Sequence, residues 1–239
     1  MITKNQQKLI RQLELKKYRK REGIFVAEGP KVVGDLMKTY EVHSLYATDD
    51  WPGPAHYRVT DDELRRLSFL QHPQQVIGLF ALPQAEAPAA PTGLSLALDG
   101  VQDPGNLGTI IRIADWFGIE TIYCSEDTAD AWSPKVVQAT MGSIARVHII
   151  YCDLIPLLTA TTLPVYGTLL DGNNIYSQPL SQDGIIVMGN EGNGISQPIR
   201  ALIKHRLLIP DFHQGETADS LNVAIATAIT CSEFRRRSI

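Results

Sequence analysis

The chain has 239 residues, 44% hydrophobic and 20% charged, with 22 Lys+Arg against 26 Asp+Glu for a net charge of −4. Such values exclude a disordered polyelectrolyte, a collagen-like repeat and a coiled coil, and as an average they speak against a nucleic-acid binder, which is usually basic. The average conceals a segregation: residues 1–21 hold eight Lys+Arg and one acid, Glu14, for a net +7, while the other 218 residues carry −11. Three widely spaced cysteines (Cys124, Cys152, Cys231) match neither a zinc knuckle nor a disulfide framework, and are expected as buried thiols. No apolar run follows the basic N-terminus or reaches the length of a membrane span, so a cytoplasmic protein with no membrane partner is expected.

In chain order, Thr3 can cap a helix running to about residue 15, with Leu9, Ile10 and Leu13 as its apolar stripe and Lys/Arg on the other faces. A strand follows at 24–27, then a helix opened by Pro30 with Val32, Val33, Leu36 and Met37 inward. Residues 42–47 read as a strand, 61–67 as a helix and 76–81 as a strand, which makes 1–82 a small α/β domain. The stretch 83–93 has three prolines, four alanines and no periodicity, and reads as a semi-rigid linker. Beyond it, residues 94–239 form the second domain. Strands are expected at 94–98, 121–124, 146–150, 165–169, 185–188 and 206–209, with helices at 107–117, 135–142, 154–160, 197–203 and 221–237. Most of these strands are continuous apolar runs, the pattern of a mostly parallel sheet with helices on both faces.

In an open α/β sheet, ligands collect at the carboxyl ends of strands, and three polar loops fall there. The first, 99–112, turns at Pro104 and Gly105 and offers Asn106 as the N-cap of the next helix. Arg112 lies in an otherwise apolar stretch of that helix, where it must either pair with Asp115 or Glu120 or face a cleft. The second has Gly189, Gly192 and Gly194, which is neither the dinucleotide fingerprint nor a Walker A loop, and it carries Glu191 at its tip. The third runs from Ile209-Pro210 to Ser220-Leu221-Asn222, where Ser220 and Asn222 can cap the last helix or hydrogen-bond a ligand. That helix is almost wholly apolar up to 235–237 and must be covered by the sheet or by another subunit. His43, His72, His148 and His205 are scattered singly and read as structural or surface residues.

Together, Asn106-x-Gly108-x-x-x-Arg112, Met188-Gly189-Asn190-Glu191-Gly192, and Ile209-Pro210 followed by Ser220-Leu221-Asn222-Val223 resemble the SpoU/TrmH family of the SPOUT superfamily of RNA 2′-O-ribose methyltransferases. Lys16-Lys17-Tyr18-Arg19-Lys20 and Phe25-Val26-Ala27-Glu28-Gly29-Pro30 are similar to the small L30e-like substrate-binding domain of many members. The resemblance implies a trefoil-knotted methyltransferase domain acting as a homodimer through the knot region and the C-terminal helix. It also implies S-adenosyl-L-methionine as methyl donor, with no metal. The cofactor would lie against Thr168, Leu169, Gly189, Asn190, Gly192, Ile209 and Leu221. Arg112 would be the catalytic residue, acting as base or positioning the hydroxyl, with Asn106, Glu191, Ser220 and Asn222 completing the site. RNA would be held by Lys16, Lys17, Arg19, Lys20 and Arg21, with a smaller share from Arg112 and 235–237. Ribosomal RNA is the first expectation and transfer RNA the second. A non-catalytic RNA-binding or ribosome-assembly protein on the same fold is the alternative, and the glycine spacing leaves a nucleotide-dependent oxidoreductase a poor third. One departure stands out: nine residues separate Pro210 from Ser220, more than is usual in the family, and Asp211 takes the place of a common methionine.

Overall fold

The computed structural model describes residues 2–84, 88–213 and 220–236. It divides into two compact units, Met1–Gln84 with Asp130–Arg146, and Ala85–Ala129 with Val147–Ile239.

In the first unit, helix α1 (Lys4–Gln12) opens on a capping box between Thr3 and Gln6. It stops three residues short of the expected end. Helix α2 (Lys16–Glu22) then starts afresh and closes on Gly23 in the left-handed conformation. Arg19 explains the break. Its Nη1 donates to the carbonyls of Leu13 (2.6 Å) and Glu14 (2.7 Å), groups that a continuous helix would have bonded itself. Then come β1 (Ile24–Glu28), α3 (Pro30–Leu36), β2 (Val42–Ala47), β3 (Tyr57–Arg58), α4 (Asp61–Leu67) and β4 (Val76–Ala81). The sheet order is β1-β4-β2-β3, with β3 a two-residue edge strand parallel to β2. Ile10, Leu13, Val26, Leu64, Leu67 and Leu79 form one core beneath it.

The second unit begins with β5 (Leu94–Asp99), α5 (Pro104–Trp116) and β6 (Thr121–Cys124). The chain then supplies α6 (Pro134–Ala139) and a 3-10 turn (Ser143–Ala145) to the first unit. Along the sequence this stretch lies in the expected second domain; in space it packs with the first unit through long-range contacts. Trp132 joins Phe25 and Tyr40 in an aromatic cluster (ring centroids 5.1 and 5.8 Å), and the Tyr40 hydroxyl donates to the Ile144 carbonyl at 3.2 Å. The second unit resumes with β7 (His148–Tyr151), α7 (Leu154–Ala160), β8 (Val165–Asn174), β9 (Gly184–Gly189), α8 (Gln197–Arg200), β10 (His205–Leu208) and α9 (Val223–Arg236). All six strands pair in parallel in the order β10-β8-β9-β5-β6-β7. Every residue of β9 is buried, and so is every residue of β5 before Asp99, as a sheet covered on both faces requires. The three cysteines are free and buried, and burial pushes the Cys231 thiol up to about 12.

The strand order reverses direction between β5 and β9. From β5 the chain moves outward through β6 and β7; β8, β9 and β10 lie on the other side. At such a switch point, open α/β sheets bind ligands beyond the carboxyl ends of the two central strands.

Candidate active site

Both loops at the switch point are fixed by side chains. Helix α5 starts after Asp103, whose carboxylate accepts from the Asn106 amide at 2.8 Å. The cap is therefore Asp103, not Asn106 as the sequence suggests, and Pro104 fills the first helical position, where its missing N–H costs nothing. The shift frees the Asn106 side chain for other contacts.

Asn106 Nδ2 donates to Glu191 Oε1 at 3.0 Å, and Asn106 Oδ1 accepts from Asn222 Nδ2 at 3.0 Å. Glu191 also accepts from the backbone amides of Gln102 (Oε2, 3.1 Å) and Asp103 (Oε1, 3.1 Å). Asn222 spends its own oxygen capping α9, accepting from Ala224 N (2.9 Å) and Ile225 N (3.3 Å). One chain of hydrogen bonds, Asn222–Asn106–Glu191, thus ties together the loops after β5, β9 and β10. Burial works to raise the Glu191 pKa, but the bonds from Asn106 and the loop amides win, and the carboxyl titrates below its ordinary range.

Asn190 shapes the β9 loop from inside. Its Nδ2 donates to the Gly100 carbonyl at 2.7 Å, and its Oδ1 accepts from Gly192 N (2.9 Å) and Asn193 N (3.0 Å). The backbone doubles back in an Asn190–Gly194 bridge. A Cβ on Gly189 would stand 2.3 Å from the Gly194 carbonyl carbon and the Ile195 nitrogen, so only glycine permits this return. Asp99, which sequence reading did not single out, anchors the far side by accepting from Ser196 N at 2.7 Å.

The loop expected at Thr168 and Leu169 is an excursion within β8. Strand β10 pairs with Tyr166 and Gly167, then with Asn173 and Asn174, and residues 168–172 bow out between. Thr168 is half-buried and donates to Met188 Sδ (3.5 Å) of neighbouring β9; Leu169 is buried and Leu170 is 76% exposed. Asp171 is gripped by Arg200 of α8 and Arg206 of β10, a clasp that carries no local sequence signal. Gly189 is buried, Gly192 exposed, Ile209 half-buried and Leu221 half-exposed. These residues lie in or just beyond three adjacent strands, β10, β8 and β9. That is the placement a pocket built from backbone loops needs.

Arg112 stands apart from the hydrogen-bond chain. It is exposed on α5, and no hydrogen bond or ion pair joins it to Asp115, Glu120 or any other described residue. Ser220 is exposed and has no hydrogen bond among the described residues, so the expected pair of caps on α9 reduces to Asn222. Residues 214–219 and 237, which include Glu216, Asp219 and Arg237, lie outside the described residues. Among those described, no group of three or more His, Cys, Asp or Glu is placed to hold a metal ion.

Of the expected RNA contacts, Lys16, Lys17, Lys20 and Arg21 are exposed, and Lys17 Nζ and Arg21 Cζ lie 5.0 and 4.7 Å from the Tyr18 ring centroid. Arg19 is different. It is 2% exposed, holds the two carbonyls at the α1–α2 break, and pairs through Nη2 with Asp130 at 2.5 Å. Its guanidinium is committed to the fold.

The SpoU rRNA Methylase family model matches residues 93–232, and the MRM3-like substrate binding domain model matches residues 4–78. The chain is 31% identical to the 23S rRNA (guanosine(2553)-2′-O)-methyltransferase RlmP of Bacillus subtilis (strain 168), over 94% of each sequence. Among solved structures, a TrmH-family protein from Porphyromonas gingivalis superposes with a TM-score of 0.90 at 43% identity, covering 99% of both chains. The AdoMet-bound rRNA methyltransferase of Sinorhizobium meliloti superposes with a TM-score of 0.87 at 32% identity, covering 100% of this chain and 97% of its own. With its loops at the β5/β9 switch point, the Asn222–Asn106–Glu191 chain and these matches along nearly its whole length, the chain belongs to the SpoU rRNA methylase family.

Proposed function

We propose that this protein transfers a methyl group from S-adenosylmethionine to a ribose 2′-hydroxyl of ribosomal RNA. The observation that carries the reading is Arg112: an exposed guanidinium with no partner among the described residues, on the helix that leaves the switch point. Arg19, which serves the fold, is buried and paired, whereas the Arg112 guanidinium is left available to a ligand. The family match, and the ribosomal substrates in the names of its relatives, support ribosomal over transfer RNA.

A ribose hydroxyl is a weak nucleophile and must be placed in line and relieved of its proton. Bound S-adenosylmethionine supplies an electrophilic methyl on a sulfonium, which makes metal assistance unnecessary. The chain's own residues do the rest. The Asn222–Asn106–Glu191 chain holds the loops in register, so that substrate meets a preformed site. Arg112 donates hydrogen bonds to the ribose oxygen as negative charge grows there, and to an adjoining phosphate. A guanidinium keeps its proton at neutral pH, so the hydroxyl proton passes to an RNA phosphate oxygen or to water. The exposed Lys16, Lys17, Lys20 and Arg21 supply phosphate contacts remote from the chemistry.

The same reading includes the knotted threading of the C-terminal domain, a homodimer and a cytoplasmic location. Exposed apolar side chains at Trp116 (85%), Ile225 (53%) and Leu221 (50%), on or beside α5 and α9, support a subunit contact. No described helix is long and apolar enough to cross a membrane. The boundaries 1–82 and 94–239 remain our proposal for the two domains along the sequence, with 130–146 folding into the first unit.

The decisive experiment is tritium transfer from S-adenosylmethionine to purified ribosomal and transfer RNA. Wild-type protein is expected to label ribosomal RNA. Arg112→Ala is expected to lower kcat by about 10²–10³-fold, the usual cost of losing one hydrogen-bond donor to a developing oxyanion, with cofactor affinity unchanged by calorimetry. Full activity of the variant would remove Arg112 from the mechanism; labelling of transfer RNA alone would overturn the substrate.

A further inference from the structure

A cavity of about 240 Å³ in the first unit is lined by Ile2, Gln6, His56, Tyr57, Arg58 and Val59. It sits at the open side of edge strand β3, within the stretch matched to the substrate-binding domain model. Sequence reading did not single out any of these residues. The cavity is smaller than the roughly 300–1,000 Å³ of a site for a drug-sized ligand, which suits one ring system rather than a whole nucleotide.

The walls have a definite chemistry. Tyr57 is 44% exposed, and its inner face stacks on the buried Tyr46 ring (centroids 4.8 Å apart, planes 17° apart), its cross-strand partner. The stack holds the Tyr57 ring rigid, so an incoming ring would meet a preformed platform. His56 is exposed and locked against Leu45: its backbone N–H donates to the Leu45 carbonyl (3.0 Å), and its Nδ1 accepts from Leu45 N (3.1 Å). In a neutral imidazole that bond forces the proton onto Nε2, which becomes a fixed donor. Arg58 spends Nη1 on the carbonyls of Thr48 (2.8 Å) and Trp51 (3.3 Å), leaving Nε and Nη2 without partners among the described residues. Ile2 and Val59 add apolar wall. A rigid aromatic platform flanked by a fixed N–H donor and a half-used guanidinium fits a flat heteroaromatic ring that bears acceptor atoms.

We propose that this cavity takes one unpaired RNA base, stacked on Tyr57 and hydrogen-bonded by His56 and Arg58. Proteins that hold single-stranded RNA stack bases on aromatic side chains and read their exposed edges in this way. The site gives the first unit a second mode of contact, to a base, beside the phosphate contacts of the basic helix α2. The inference rests on the RNA reading above, and its test is separable from it.

The test uses the full chain with a mixed-sequence single-stranded RNA carrying 2-aminopurine, and the same strand annealed to its complement. Stacking on Tyr57 is expected to quench the probe in the single strand and not in the duplex. Tyr57→Ala and Tyr57→Leu are expected to weaken single-strand binding about 5- to 150-fold, the loss of one stacked base, whereas Tyr57→Trp retains it. In methyl transfer the same loss appears in KM for RNA, with kcat and cofactor affinity unchanged. Far-ultraviolet circular dichroism and the unfolding midpoint confirm that each variant is folded. If Tyr57→Ala binds and quenches like wild type, or folded Tyr57→Trp is as weak as Tyr57→Ala, the proposal is overturned and the cavity belongs to another ligand class, such as a peptide side chain. Tyr57-dependent quenching without methyl transfer would sink the enzymatic reading and leave the base site standing; unaltered transfer by Tyr57→Ala would do the reverse.

Discussion

The two units use polar groups in opposite ways. The first carries 15 Lys+Arg against 11 Asp+Glu, the second 7 against 15. In the first, exposed charge lies on helix α2 while one arginine, Arg19, is turned inward to hold the fold. In the second, the central strands are buried and mostly apolar, and the polar chemistry is pushed to the loops at their carboxyl ends. A basic surface gathers a polyanion without choosing an atom. A loop network at a sheet switch point fixes atoms but attracts little from a distance. The net charge of −4 averages these two tasks and describes neither.

Arg19 separates the two uses of charge most sharply. Were it an RNA contact, as proposed for its neighbours, Arg19→Met would weaken RNA binding and leave stability alone. Its position implies the reverse. The substitution leaves Asp130 without its partner and the Leu13 and Glu14 carbonyls without a donor, an expected destabilisation of about 3–5 kcal/mol. Denaturant unfolding measures it; an unchanged midpoint would return Arg19 to the RNA surface.

A smaller effect, of the other kind, is expected from Lys16, Lys17, Lys20 and Arg21 replaced together by glutamine. All four are exposed. If each neutralises one phosphate of a single strand, the slope of log affinity against log salt should fall by about 3, at roughly 0.7 per contact. Stability should move by no more than about 0.5 kcal/mol. A salt slope that survives the quadruple substitution would take the phosphate contacts away from α2.

The contrast between Arg19 and its neighbours also marks where sequence reading stops. Central strands were legible because a sheet covered on both faces must be written as an apolar run, and β5, β6 and β9 came out within a residue or so at each end. Strand β8 runs five residues past the expected end at 169, because β10, returning to pair with Asn173 and Asn174, holds them in the sheet. The cap of α5 was misplaced because Asp103 and Asn106 are both good caps; Pro104 at the first helical position was the discriminating signal. Asn106, Glu191 and Asn222 each stand out in their own loops, but only the family resemblance brings them into one site, since nothing local says that residues 85 and 116 positions apart will touch. The clasp on Asp171, the ion pair of Arg19 and the Tyr46–Tyr57 platform are likewise long-range or cross-strand contacts.

The smallest expected effect tests whether the loop network of the second unit depends on charge. Glu191 faces three donors, the Gln102 and Asp103 amides and Asn106 Nδ2. Glutamine can place one oxygen among them but must turn an N–H toward a remaining donor. Because the group is exposed, Glu191→Gln should cost only about 1 kcal/mol of stability, with a larger relative loss in kcat as the Asn106–Asn222 linkage loosens. The pH dependence has a fixed sign. A carboxyl whose pKa is lowered by folding contributes stability that is complete above its ordinary value of 4.5 and is lost as pH falls through the folded value. The difference in unfolding free energy between wild type and Glu191→Gln should therefore be constant above about pH 6 and shrink below pH 4.5. A difference independent of pH across that window would mean that the shape of the side chain, not its charge, holds the three loops together.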